Sequence, residues 1–185
     1  MAQAGAQVVL VDFASAPLAL SRQAFLERGV AGEFVQADVR AMPLPAGRFD
    51  LTWNAGVLEH ADPDAQAAML REMARVTRPG GQVVTVNPHA RCVPYQLGKH
   101  WALRTGRWPY GDERPLFSHR QLFAAADLAL EDEFSIGADV GFDFLRFIPA
   151  LGPPLREIAR AWWSELSCAD RRQMPGYLLV GIART

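Results

Sequence analysis

Gln7-Val8-Val9-Leu10-Val11-Asp12 is a continuous apolar run that stops on an acid. It shows no alternation of apolar and polar residues, so neither face of such a strand can point to water. A strand buried on both faces belongs in a parallel sheet covered by helices on each side. That one requirement narrows the fold to the α/β class before anything else is known.

The neighbouring segments fit the requirement. Ser15 and Pro17 suit a helix start, Leu18, Phe25 and Leu26 fall on one side of that helix, and Gly29 suits its stop. Phe34 to Ala37 reads as a second strand, again followed by an acid, Asp38. Two prolines and a glycine make residues 40–48 a loop, and Phe49 to Asn54 a third strand. Asp62-Pro63 opens a helix as cap and first residue, with Met69, Met73 and Val76 at the spacing of a buried stripe. Pro79-Gly80-Gly81 stops it and turns the chain into a fourth strand, Gln82 to Val86. The order β-α-β-β-α-β predicts a doubly wound, mostly parallel sheet. In such sheets ligands sit beyond the carboxyl ends of the strands, where Asp12, Asp38 and Asn54 all fall.

The second half differs. Residues 88–117 and 137–176 are expected to be two insertions in a single domain spanning 1–185, with 1–87 as its core. Ser118 is expected to cap a short helix, residues 128–136 form a strand, residues 155–166 a helix, and residues 177–183 a last strand. A chain of 185 residues buries roughly 70% of its unfolded surface, enough for one core. Its net charge of -1 gives no electrostatic case for nucleic acid or an anionic membrane. No apolar stretch approaches the ~20 residues of a membrane span, and the start lacks the basic region of a signal peptide. Two distant cysteines fit reduced thiols in a cytoplasmic chain. His89, Cys92 and His100 lack metal-ligand spacing, so no metal is expected.

Asp12, Asp38-Val39-Arg40-Ala41-Met42-Pro43-Leu44-Pro45, Phe49-Asp50-Leu51, Val57-Leu58-Glu59-His60 and Arg75-Val76-Thr77-Arg78-Pro79-Gly80-Gly81 occur in one order with one spacing. In these the chain resembles the class I S-adenosylmethionine-dependent methyltransferases of small molecules, closely over residues 5–87 and loosely beyond. The resemblance implies a Rossmann-like sheet with an antiparallel last strand and S-adenosylmethionine as cofactor. Asp12, with Phe13 beside it, would meet the ribose and Asp38-Val39 the adenine. Asn54, Ala55, Gly56 and Val57 would wall the crevice, and His60 is the candidate catalytic base. The aromatic insertions suggest an apolar or ring-bearing small acceptor.

Two other readings stay open. One is a short-chain dehydrogenase, whose contacts Asp38-Val39 and Asn54-Ala55-Gly56 echo, and which uses a Tyr-x-x-x-Lys like that of Tyr95 and Lys99. Against it, the Tyr95 stretch has Pro and Gly neighbours and no clear helical pattern, and no serine ends the Val83-Val84 strand. The other is a methyltransferase-like module without activity. Both families place a glycine-rich turn and a further strand ahead of Gln7, and the chain contains no Gly-x-Gly. The expectation is therefore a domain without its first βα unit, and weak cofactor binding.

Overall fold

The computed structural model describes residues 1–185. The strands are β1 (Val9–Asp12), β2 (Glu33–Gln36), β3 (Phe49–Ala55), β4 (Thr77–Pro88), β5 (Leu130–Ile136) and β6 (Leu178–Arg184). The helices are α1 (Ser15–Glu27), α2 (Pro63–Val76), α3 (Val93–Arg104), α4 (Arg120–Ala124), α5 (Ala138–Gly141), α6 (Gly152–Glu165) and α7 (Cys168–Gln173). The expected α/β order is present in full, and β6 is antiparallel to both neighbours.

The strands do not form one sheet. β1 and β2 pair in parallel as a two-stranded unit. The other four form a sheet in the order β3-β4-β6-β5, with β3 and β4 parallel. β1 and β3 are thus both edge strands, and the sheet that the apolar runs called for is split between them.

Helix α2 forms where the sequence placed it. Asp62 caps it by accepting a hydrogen bond from the Ala65 N–H at 2.8 Å, and Pro63 takes the first position. Its inner face buries Leu70, Met73 and Val76, while Met69 is half-buried. Leu70 and Met73 join Leu58, Val83, Leu122, Phe123, Ala126 and Ala183 in the main core, and Met69 packs against it. Helix α1 departs from expectation. Its N-cap is Ala14, not Ser15, and the Asp12 side chain takes the Ala14 N–H at 2.8 Å. Leu18 is buried, but Leu26 is 79% exposed, because no element lies over that side of α1.

The strand after Pro79 begins earlier than expected, since Thr77 already pairs with Phe49. The stretch around Tyr95 is a regular helix, α3, contrary to the reading of its prolines and glycine. Pro94 sits in the first turn, where no N–H is needed. Gly98 lets the helix press on the Phe144 carbonyl with no room for a Cβ. Both insertions meet there, and Tyr95, Trp108, Phe144, Phe147 and Tyr177 form a second, smaller core. No helix is long and apolar enough to cross a membrane.

Candidate functional site

Of the three polar residues expected to share a crevice at the ends of β1, β2 and β3, Asn54 alone lines the cavity found there. Val11, Val39, Asn54 and Val57 line one cavity of about 260 Å³, which continues between Met42, Leu44, Met69, Met73 and Val76. Phe13, Asp12, Asp38 and Gly56 stand outside its walls. Ala55 lines a second cavity on the opposite side of the β1–β3 gap.

The polar groups differ in how committed they are. Asp12 uses only Oδ1, on the Ala14 N–H, and its other oxygen remains available. Asp38 is engaged twice over: Oδ1 accepts from the Arg40 N–H and Nε, and Oδ2 from Nη2 at 2.6 Å. Arg40 therefore holds this exposed carboxyl at about 2, well below the usual carboxylate range. Asn54 donates from Nδ2 to the Met73 sulfur at 3.1 Å, while its Oδ1 is buried without a partner. An unsatisfied buried acceptor is uncommon and marks a place where a donor fits. Gly56, at a φ of 71°, makes the turn that leaves β3. Phe13 is 79% exposed and touches no wall of the cavity.

His60 lies on a short 3₁₀ turn and is exposed. Its Nδ1 is 2.7 Å from the Asp112 carbonyl oxygen. A carbonyl only accepts, so Nδ1 carries the proton and Nε2 keeps the basic lone pair. The residue before it, Glu59, was not singled out by sequence and is the more unusual group. It is buried, its Oε2 accepts from Asn87 Nδ2 at 2.7 Å, and its Oε1 lies beside Gly56. Burial pushes this carboxyl above its ordinary range. Asn87 Oδ1 in turn accepts from His119 Nε2 at 3.0 Å. His119 is wholly buried, and desolvation lowers its ring to about 4, with Glu133 pulling the other way.

Tyr95 and Lys99 do meet, one helical turn apart, but around a carboxylate. Tyr95 Oη donates to Glu113 Oε1, and Lys99 Nζ donates to the Glu113 carbonyl and lies 3.6 Å from Oε1. Burial and the adjacent carboxylate push the phenol pKa far up. That is opposite to the lowered tyrosine pKa on which the dehydrogenase reading depends, and Tyr95 is fully buried.

Parallel strands with crossover helices and polar residues at three strand ends are the Rossmann-like α/β arrangement, in which ligands sit beyond the carboxyl ends of the strands. Residues 1–85 match a family described as a methyltransferase domain. The ubiquinone/menaquinone biosynthesis C-methyltransferase UbiE of Pseudomonas putida is 40% identical over 82 residues, covering 43% of this chain and 31% of that protein. A ubiquinone biosynthesis O-methyltransferase of Pseudomonas paraeruginosa (strain PA7) is 42% identical over 96 residues, 49% of this chain and 40% of that protein. The chain thus spans under half the length of these curated relatives. In fold it is similar to geranyl diphosphate C-methyltransferase from Streptomyces coelicolor A3(2), with a TM-score of 0.60 at 13% identity over 97% of this chain and 64% of that one. Over residues 1–85 the chain is thus similar to methyltransferase domains, and over most of its length it shares their fold.

Proposed function

We propose that this chain serves methyl transfer from S-adenosylmethionine to a small-molecule acceptor, with the nucleoside end of the cofactor on the β1, β2 and β3 strand ends. The supporting observation is that Val11, Val39, Asn54 and Val57, each at or beside one of those ends, share one cavity. The residues fit the nucleoside half. Asp12 keeps one carboxylate oxygen for ribose hydroxyls, Asn54 Oδ1 is an acceptor in want of a donor, and Val39 offers an apolar wall. Asp38 suits an adenine amino group only where Arg40 yields one of its oxygens. Val57 walls the crevice, whereas Ala55 faces the other side of the gap and Gly56 and Phe13 stand outside both cavities.

When bound, S-adenosylmethionine supplies an electrophilic methyl group, and the remaining task of the protein is to orient an acceptor and manage its proton. His60 Nε2 is one group that takes a proton, and Glu59, kept less acidic by burial, is another. The relatives carry both C- and O-methyltransferase names, so the accepting atom is left open. The aromatic side chains that the insertions leave exposed, Trp101, Tyr110, Phe117 and Trp162, favour an apolar or ring-bearing acceptor. Residues 1–87 act in this reading as a cofactor core without its first βα unit, and residues 88–117 and 137–176 as its lid.

The chain has no Gly-x-Gly to bring backbone N–H groups close to the rest of the cofactor. Binding by these 185 residues is therefore expected to be weak. Isothermal titration with S-adenosylhomocysteine should give an affinity poorer than micromolar, and micromolar binding would refute the weakness. Asp12→Ala should lower the affinity a further ten-fold or more, the loss of hydrogen bonds to a charged acceptor. An unchanged affinity in that variant would remove Asp12, and with it the nucleoside placement.

A further inference from the structure

We propose that Asn87 and His119 are positioning residues for Glu59, and that they invert their hydrogen bonds together when the Glu59 carboxyl binds a proton. The three side chains form one buried row. Glu59 Oε2 is 2.7 Å from Asn87 Nδ2, and Asn87 Oδ1 is 3.0 Å from His119 Nε2. At the far end, His119 Nδ1 lies 3.3 Å from Glu133 Oε2 yet makes no hydrogen bond. The row thereby connects the turn after β3 with the end of β4, the residue ahead of α4, and β5.

Donors and acceptors fix how such a row is arranged. An ionised Glu59 only accepts, so Asn87 must turn Nδ2 toward it and Oδ1 toward the ring. An amide oxygen also only accepts, so the proton of a neutral His119 sits on Nε2. Nδ1 then meets the Glu133 carboxylate lone pair to lone pair and stays unpaired, which is the arrangement present. A neutral Glu59 lifts the constraint. Its O–H at Oε2 donates to Asn87 Oδ1, and the amide turns over. Nδ2 then donates to His119 Nε2, and the ring proton sits on Nδ1, aimed at Glu133. No other hydrogen bond holds the Asn87 side chain one way up. Every member of the inverted row has a partner. In the change Glu59 gains one proton, while His119 gives up the proton on Nε2, takes one on Nδ1 and stays neutral.

The neighbouring charges leave this count intact. His60, Glu113, Tyr95, Lys99 and Tyr177 stand around Glu59, and Glu133 and His89 around His119. Glu113 is taken by Tyr95 and Lys99, and His89 Nδ1 donates to the Gly176 carbonyl at 3.2 Å. Linkage is reciprocal: whatever protonation of Glu59 does to the ring tautomer, the preference of the ring for Nδ1–H does to the hold of Glu59 on its proton. The row thus makes Glu59 a better proton acceptor than burial alone does. Only the source of that proton, the acceptor molecule, rests on the methyl-transfer reading.

The test needs neither cofactor nor acceptor, so it can fail while methyl transfer stands, and the reverse. In the chain with isotope-labelled histidine and glutamate, NMR follows the His119 ring nitrogens and the Glu59 carboxyl through one pH titration. It runs upward from about pH 5, where the ring is neutral because burial lowers it to about 4. The ring proton should sit on Nδ1 below the Glu59 titration and on Nε2 above it. The tautomer ratio should change at least about ten-fold, the effect of one hydrogen bond. Glu59→Gln, which donates as the neutral acid does, should hold the Nδ1–H form at every pH. Asn87→Leu cuts the row and leaves the ring to Glu133, so it should hold that form as well. One tautomer throughout while Glu59 titrates would overturn the proposal. So would an Nε2–H ring in Glu59→Gln, or a switch that survives Asn87→Leu.

Discussion

Two parts of this molecule are written in the same alphabet and packed very differently. β1-α1-β2 and β3-α2-β4 are both parallel βαβ units with apolar strands and polar loops. Yet Leu18 and Leu44 are the only buried residues before Leu58, while α2, β4 and β6 with the α4 region hold nearly all of the main core. The difference lies in the neighbours. β4 has β3 on one side, β6 on the other, α2 on its face, and its residues alternate with a buried set at Val83, Thr85 and Asn87. β1 has β2 alone as a strand partner. A hydrophobic strand acquires its burial from its flanks, and an equally apolar one with a single flank stays half-wet.

That contrast can be pressed with substitutions. The largest effect should come from Phe123→Ala, which empties a wholly buried ring site and should cost about 4 kcal/mol. Leu26→Ala, in α1, should change stability by under about 0.5 kcal/mol, since that side chain is exposed. Urea denaturation of both variants checks the pair, and comparable losses would mean that the two parts are equally packed.

Next comes Glu113→Ala, which strips the buried Lys99 ammonium of its carboxylate and the Tyr95 hydroxyl of its acceptor. About 3 kcal/mol should be lost, because an uncompensated buried charge remains. Glu113→Gln keeps an acceptor and should cost less. A melting series across the three proteins reads this, and amide exchange in β1 should be unaffected.

The smallest of the three is a pH effect confined to the packed part. His119 has its ring lowered by burial to about 4, against an ordinary 6.5. The unfolded chain therefore takes up a proton below pH 6.5 that the folded chain refuses until about 4. Stability falls as pH falls through that window, by about 2 kcal/mol at pH 5. Glu59 has the opposite sign: raised by burial, it weakens the fold as pH rises through its own titration. Denaturation at pH 7 and pH 5 of the parent and of His119→Gln isolates the histidine. An equal pH dependence in both would discard it.

Much of the element order was legible, and for a physical reason. Asp62-Pro63 and the stripe of α2 are local signals, readable without knowing what lies across the sheet. The strand ends bearing Asp12, Asp38 and Asn54 were legible in the same way. What escaped was set by distant contacts. Tyr95 looked unhelical because a proline and a glycine flank it, yet Gly98 is there for the Phe144 carbonyl, which arrives from 46 residues further along. Leu26 looked like a core residue because periodicity cannot tell whether anything covers a helix face. Glu59 gave no sign of its burial, which depends on Asn87 at the end of β4. His60 drew the eye as a histidine, and its proton position emerges only from the Asp112 carbonyl.

The placement of β6 has a consequence for how this protein is made. Residues 178–184 lie between β4 and β5 and are hydrogen-bonded to both. On a ribosome, β4 and β5 emerge well before the strand that joins them. During that interval each shows a bare edge to water or to other nascent chains. The four-stranded sheet closes only on the arrival of Leu178–Arg184, so a chaperone that shields β4 and β5 would act in the brief interval before then.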